Sequence, residues 1–326
     1  EEVESVEFDE ASEDVKGLRI SSGATLKADL FIDSSGFVSK ILGEGLEEPF
    51  VSYGDDLYCD RALVGGWDRE SGEDVLPYTV SETMNSGWCW RIDHPERINR
   101  GYVYSSKYIT DEEAEREMLE KNPKIKEVRQ VKFKSGRRER TWVKNVIGIG
   151  NAMGFVEPLE ATAIMCAALQ SKWLADGLFD ADRELTGSMR DLYNRVTGDL
   201  WDETRDFLAL HYRLNDKLDT PFWKQCRSEV NIGGLEGLVT FYKENGPSPL
   251  GSAFISNESP YGLAGYYAQL VGMDAPCEKI HKASAAELKV WSGHKELCAK
   301  NAAQGLKMLD AREVLMDASY WEKMRR

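Results

Sequence analysis

The hydrophobic rhythm of the chain changes for good near residue 160, and that change limits the folds open to it. Before it, apolar and polar residues alternate in short runs, the period of strands. "VESVEF" and "GLRISSG" predict a hairpin, and "KADLFIDSSG" predicts a buried strand ending in a turn. "LYCDRALVGG", "VLPYTVSET", "GWCWRID" and "GYVYSS" continue the strand signals, with aromatic content that suits a sheet packed on one face. "DEEAEREMLEKN" predicts a short helix with acids at its start, and "VRQVKFKSGRRERTW" and "VKNVIGIGNA" return to strands. Beyond Glu160 helical periodicity takes over, across 160–177, 183–215, 261–273 and 284–320. A sheet-rich part over 1–177 therefore precedes a mostly helical domain over 178–326, an α/β arrangement without internal repeats.

Charge and composition remove some functions. Acidic residues outnumber basic ones, 56 to 41, for a net charge of -15, which argues against a nucleic-acid surface or an anionic membrane as partner. No apolar run has membrane-spanning length. The six cysteines are dispersed without a C-x-x-C pair and read as reduced thiols of a cytoplasmic protein. The four histidines show no metal-ligand spacing, and His211, on an apolar helix, reads as a core residue. No secretory leader is read at the start, and "EEVESVEFDE" opens without methionine inside a strand pattern, so the chain is read as the middle of a longer protein.

Two stretches share one grammar. In "VIGIGNA" and "KADLFIDSSGF" an apolar strand runs into small residues, with Asn151 in one turn and Asp33 and Gly36 in the other. Such turns let a ligand approach the backbone, and Gly150 has the same use, but a bare strand-to-helix turn needs the same residues. Trp88 and Trp90 in "GWCWRI" fall on one side of a strand, able to wall a planar ligand, although packing in a core is the commoner use of two indoles. Glu157 and Glu160 are three apart at a helix start. They either cap that helix or form a pair in which like charge raises one pKa, the arrangement acid–base chemistry uses.

Taken in order, these motifs resemble the flavin-dependent halogenases of the tryptophan-halogenase type. "ADLFIDSSGF", "CDRALV", "PYTVSE" and "GYVYSSKYITDEEA" are family-like. "GWCWRI" resembles G-W-x-W-x-I-P, "GNAMGFVEPLEATA" resembles G-N-A-x-G-F-V-E-P-L-E-S-T-G, and "FLALHYRLNDKLDTPFW" resembles a segment of the family's helical domain. The resemblance implies an FAD-binding sheet domain of the glutathione-reductase/hydroxylase-like kind, its N-terminal part missing from this chain, followed by the helical substrate-side domain. It also implies reduced FAD from a separate flavin reductase, oxygen and a halide (chloride or bromide), acting through a flavin hydroperoxide and hypohalous acid on a small aromatic substrate. Glu160 matches the catalytic glutamate. Gly150, Asn151 and Pro158 would lie against the flavin, with Asp33 and Gly36 near its phosphate and ribityl region. Thr162 and Ala163 would hold the halide, and Trp88, Trp90 and Tyr261 would stand on the tunnel or substrate side. No metal is implied, and a homo-oligomer is compatible with the family.

The departures are specific. The Gly-rich fingerprint and the lysine that follows it in the family are not found, so residues before Glu1 are expected in the folded polypeptide. That gap leaves open a non-catalytic flavoprotein-like remnant; a flavin monooxygenase on the same scaffold is a separate alternative, and the paired tryptophans argue against it. Asp93 replaces a proline, Ala161 a serine and Ala163 a glycine. Pro260 and Tyr261 stand where a Phe-Trp clamp is expected, and "SAFISNESPYGLAGYY" holds no Lys or Arg. An indole-like substrate is expected over tryptophan.

Overall fold

The computed structural model describes residues 1–70, 75–76, 78–279 and 282–305. Strand β1 (Val3–Phe8) pairs antiparallel with β2 (Val15–Ile20), and β3 (Thr25–Leu26) extends the ribbon from β2. The predicted hairpin is present because Val15, Leu18 and Ile20 face inward while Lys16 and Arg19 face solvent.

The predicted strand of "KADLFIDSSG" is shorter and less buried than its composition implies. It is β4 (Phe31–Asp33), paired in parallel with β13 (Val146–Gly148), which in turn pairs with β12 (Trp142–Val143). Among the described residues β4 is an edge strand, so Phe31 and Asp33 are buried but Ile32 is 51% exposed. A second small sheet joins β5 (Phe50–Ser52), β11 (Gly136–Arg138) and β14 (Gly154–Phe155).

The largest sheet is antiparallel, with strand order β10-β6-β9-β8-β7. It is built from β6 (Arg61–Asp68), β7 (Val80–Met84), β8 (Gly87–Asp93), β9 (Arg97–Tyr104) and β10 (Arg129–Lys132). The β8–β9 register sets Trp88 opposite Val103 and Trp90 opposite Gly101. One face is covered by α1 (Asp111–Lys121), whose start is a capping box between Thr110 and Glu113. Part of "VLPYTVSET" lies outside the described residues; β7 begins at Val80.

The helical half contains α2 (Ala163–Asp180), α3 (Gly187–Leu214), α4 (Pro221–Glu229), α5 (Glu236–Asn245), α6 (Gly262–Gly272) and α7 (Ala285–Gly305). The last helix was predicted to 320; residues 306–320 lie outside the description. Helices α4 and α5, nine and ten residues long, are not among the helical stretches expected from periodicity. For α4 the signal was capping, since Thr220 accepts from the Trp223 N–H and Pro221 occupies the first turn. Helix α2 starts three residues later than predicted, because Pro158–Glu160 form a 3-10 turn and Ala161 is left-handed at φ 53°. The main core spans both halves: Tyr53, Leu57, Trp88 and Val103 from the sheet side pack with Trp201, Leu208 and Tyr212 of α3, Phe222 of α4 and Tyr266 of α6. The division at residue 177 falls within α2, and this core crosses it.

Candidate active site

The two strand–turn motifs, far apart in sequence, end side by side. The parallel register pairs Asp33 with Gly148, so both chains leave the sheet at the same end, where open α/β sheets bind ligands. Asp33 is buried, and its carboxylate accepts from the Ser35 N–H and hydroxyl and from the N–H groups of Ile41 and Leu42 at 2.8 Å each. It ties the turn that presents Gly36. Gly36 is left-handed at φ 72°, with open space where a side chain would begin. Gly150 is also left-handed, and its N–H donates to Gln170 Oε1 at 3.1 Å. Gln170 was not singled out from the sequence; it is fully buried and its Nε2 has no partner among the described residues. Asn151 lines a pocket of about 640 Å³ whose walls include Phe37, Phe155, Arg61, Lys132 and Arg138. Aromatic faces, cations and side-chain-free turns at one strand end suit a planar ring carrying phosphate.

Glu157 and Glu160 enter different surroundings. Glu157 is completely buried; its Oε1 accepts from the Trp88 indole N–H at 3.3 Å and from the Tyr212 hydroxyl, and Oε2 has no partner. Burial pushes its pKa up to about 7, against hydrogen bonds from Tyr212, Trp88 and Cys59 that lower it. The predicted rise is present, but burial produces it, not the charge of Glu160. Neither acid's side chain caps the following helix. Glu160 is the outward member, its side chain 41% exposed, and its Oε1 lies 2.9 Å from His211 Nε2. His211 is therefore not the core residue its apolar helix implied. Its ring is partly exposed and aimed at the acid, and only the packing of α3 beside the 158–160 turn reveals this. Pro158 opens that turn, Thr162 is buried at the start of α2, and Ala163 is its first residue.

Trp88 is buried and Trp90 partly so, their rings 5.9 Å apart. Trp90 lies flat on Gly101, where a Cβ would come within 1.8 Å of the indole. Trp88, Leu159, His211, Tyr212 and Trp223 line a pocket of about 270 Å³, with Lys217 at its rim. Lys217 lies outside "SAFISNESPYGLAGYY", the stretch that holds no basic residue. Tyr261 packs behind His211 rather than on this pocket: its ring stacks on Phe207 at 3.9 Å and its hydroxyl lies 3.0 Å from Thr204 Oγ1. Asp93 has a use of its own. Burial raises its pKa, but Arg91, the Leu76 N–H and Arg69 together hold it below the usual range.

A mixed α/β protein with an acid–imidazole pair seated between an indole-walled sheet and a helical layer is the class that fold and site define. The comparisons narrow it. The family model for tryptophan halogenase matches residues 1–287. Tryptophan 7-halogenase RebH of Lentzea aerocolonigenes is 31% identical over 304 residues, 87% of this chain and 57% of that protein. Tryptophan 6-halogenase ThaL of Streptomyces albogriseolus is 37% identical over 243 residues, 72% of this chain and 44% of that protein. Among solved structures, MibH, a lathipeptide tryptophan 5-halogenase, superposes with a TM-score of 0.84 at 33% identity, covering 96% of this chain and 60% of that one. BrvH, a flavin-dependent halogenase from Brevundimonas sp. BAL3, gives 0.84 at 28% identity over 96% and 63%. The chain belongs to the tryptophan halogenase family, and it spans about half the length of the curated relatives it matches.

Proposed function

We propose that the protein carrying this chain halogenates a small, electron-rich, indole-like aromatic in the cytoplasm, using FAD reduced by a separate reductase, oxygen and chloride or bromide. The observation that carries the reading is Glu160, held by His211 and adjoining a pocket walled by Trp88. When bound, reduced FAD with oxygen supplies the oxidising power that makes the halide electrophilic. Gly36, Gly150 and Asn151 would hold that cofactor, with Pro158 against it and Asp33 acting through the turn it ties. The first-turn N–H groups at Thr162 and Ala163 offer partial positive charge to a halide. Trp88 and Trp90 keep the aromatic away from the cofactor, and Glu160 takes the proton from the substituted carbon.

Glu160→Gln in the complete, FAD-loaded protein is expected to lower halogenation about 10²- to 10⁴-fold and leave flavin binding in place. Product analysis with and without bromide checks the reaction class, since a hydroxylated product independent of halide would replace the halogenase reading. Turnover retained by the Gln variant would remove Glu160 from the chemistry.

A further inference from the structure

The contacts of the imidazole beside Glu160 select the neutral tautomer that has a hydrogen to give. His211 Nδ1 lies 3.0 Å from the Phe207 carbonyl and within hydrogen-bond reach of the Gln269 amide nitrogen, which itself donates to Phe207 O at 3.1 Å. Turning the Gln269 amide over would set its oxygen against that carbonyl, two acceptors face to face. The nitrogen therefore faces both groups, with one hydrogen for Phe207 O and one for Nδ1. A neutral ring accepting at Nδ1 carries its own proton at Nε2, 2.9 Å from Glu160 Oε1.

We propose that His211, its tautomer set by Gln269, is the positioning residue that holds Glu160 through Oε1 and leaves Oε2 free for the substrate. The inference rests on the proposed halogenation. In the step it serves, the C–H bond of the halogenated ring carbon breaks, its electron pair restores aromaticity, and the proton goes to Oε2. Glu160, 41% exposed, then passes that proton to solvent. The charged groups lining the pocket beside Leu159 and His211 are Asp216, Lys217 and Asp274. Tyr212, the next residue on α3, is turned away to Glu157.

The test uses the complete FAD-loaded protein. His211→Phe is expected to lower kcat about 10- to 100-fold, the worth of one charged hydrogen bond, with little change in KM. His211→Gln, whose longer amide offers an N–H near the place of Nε2, is expected to recover most of the loss. Adding His211→Phe to Glu160→Gln should cost nothing further, because one acts through the other. A readout independent of turnover is side-chain ¹⁵N NMR. His211 should show a protonated Nε2 and an unprotonated Nδ1 in the neutral ring, and Gln269→Leu should move the proton to Nδ1, facing Phe207 O. Wild-type kcat in His211→Phe, losses that multiply in the double variant, or a protonated Nδ1 in the neutral wild-type ring would each overturn the proposal. If His211→Phe does not fold, the His211→Gln kinetics and the NMR tautomer still decide. Halogenation that survives Glu160→Gln is the different result that defeats the function itself.

Discussion

The two sides of this site are made of different material. On the sheet side, at the ends of β4 and β13, the work is done by backbone: left-handed glycines, exposed turns, and one carboxylate, Asp33, spent on ordering three N–H groups and the Ser35 hydroxyl. On the helical side, side chains from distant segments meet: Glu160 with His211, Glu157 with Trp88 and Tyr212. Backbone sites are encoded by which small residues sit in which turn. Side-chain sites exist only after helices have packed. The sheet side should thus fail by losing its shape, and the helical side by losing chemistry while staying folded.

The sharpest way to break that contrast is Asp33→Ala. It strips the acceptor from the buried N–H groups of Ile41 and Leu42 and from Ser35. At about 1–3 kcal/mol for each buried donor left unpaired, a stability loss of roughly 3–5 kcal/mol is expected in urea unfolding. An unchanged midpoint would show that the turn holds itself without the carboxylate.

Glu157 comes next, through pH. Its folded pKa of about 7 lies above the ordinary 4.5, so the folded state keeps a proton that the unfolded chain gives up. The contribution is whole below about pH 4.5 and is lost as pH rises through 7, amounting to about 3 kcal/mol. Urea midpoints at pH 5 and pH 8 should converge in Glu157→Gln relative to wild type. Parallel pH dependence in the two proteins would mean that Glu157 is ionised in the fold.

Gly101→Ala tests the indole wall. A methyl group there meets Trp90, which must lift from the sheet, at a cost of about 1–3 kcal/mol and a shift in tryptophan emission. Emission and stability matching wild type would show that the wall is not seated on Gly101.

The smallest effect concerns the substrate. Indole is expected to be halogenated faster than tryptophan, whose charged groups meet only rim residues here. Lys217 at that rim is positioned to meet a carboxylate, and an exposed pair of this kind is worth about 0.2–1 kcal/mol. Lys217→Met should therefore lower the tryptophan-to-indole ratio of kcat/KM by about 2- to 5-fold. A constant ratio would place the amino-acid end of tryptophan elsewhere.

The strand–turn motifs, the indole pair, the first hairpin and the acidic start of α1 were legible because each depends on residues within a few positions of one another. Periodicity marked α2, α3 and α6, and the order of the motifs marked the family. The partner of Glu160 was not legible: His211 is 51 positions away in the sequence, on a helix whose apolar stripe reads as core. Nor did spacing separate the two acids. Three residues apart they look equivalent, yet a 3-10 turn and the left-handed Ala161 send one into the core and the other to the surface. Local sequence decided which turns and strands form, since backbone sterics and capping act over a few residues. Only tertiary packing decided which carboxylate stays dry and which meets an imidazole, because burial and long-range hydrogen bonds are properties of surfaces brought together.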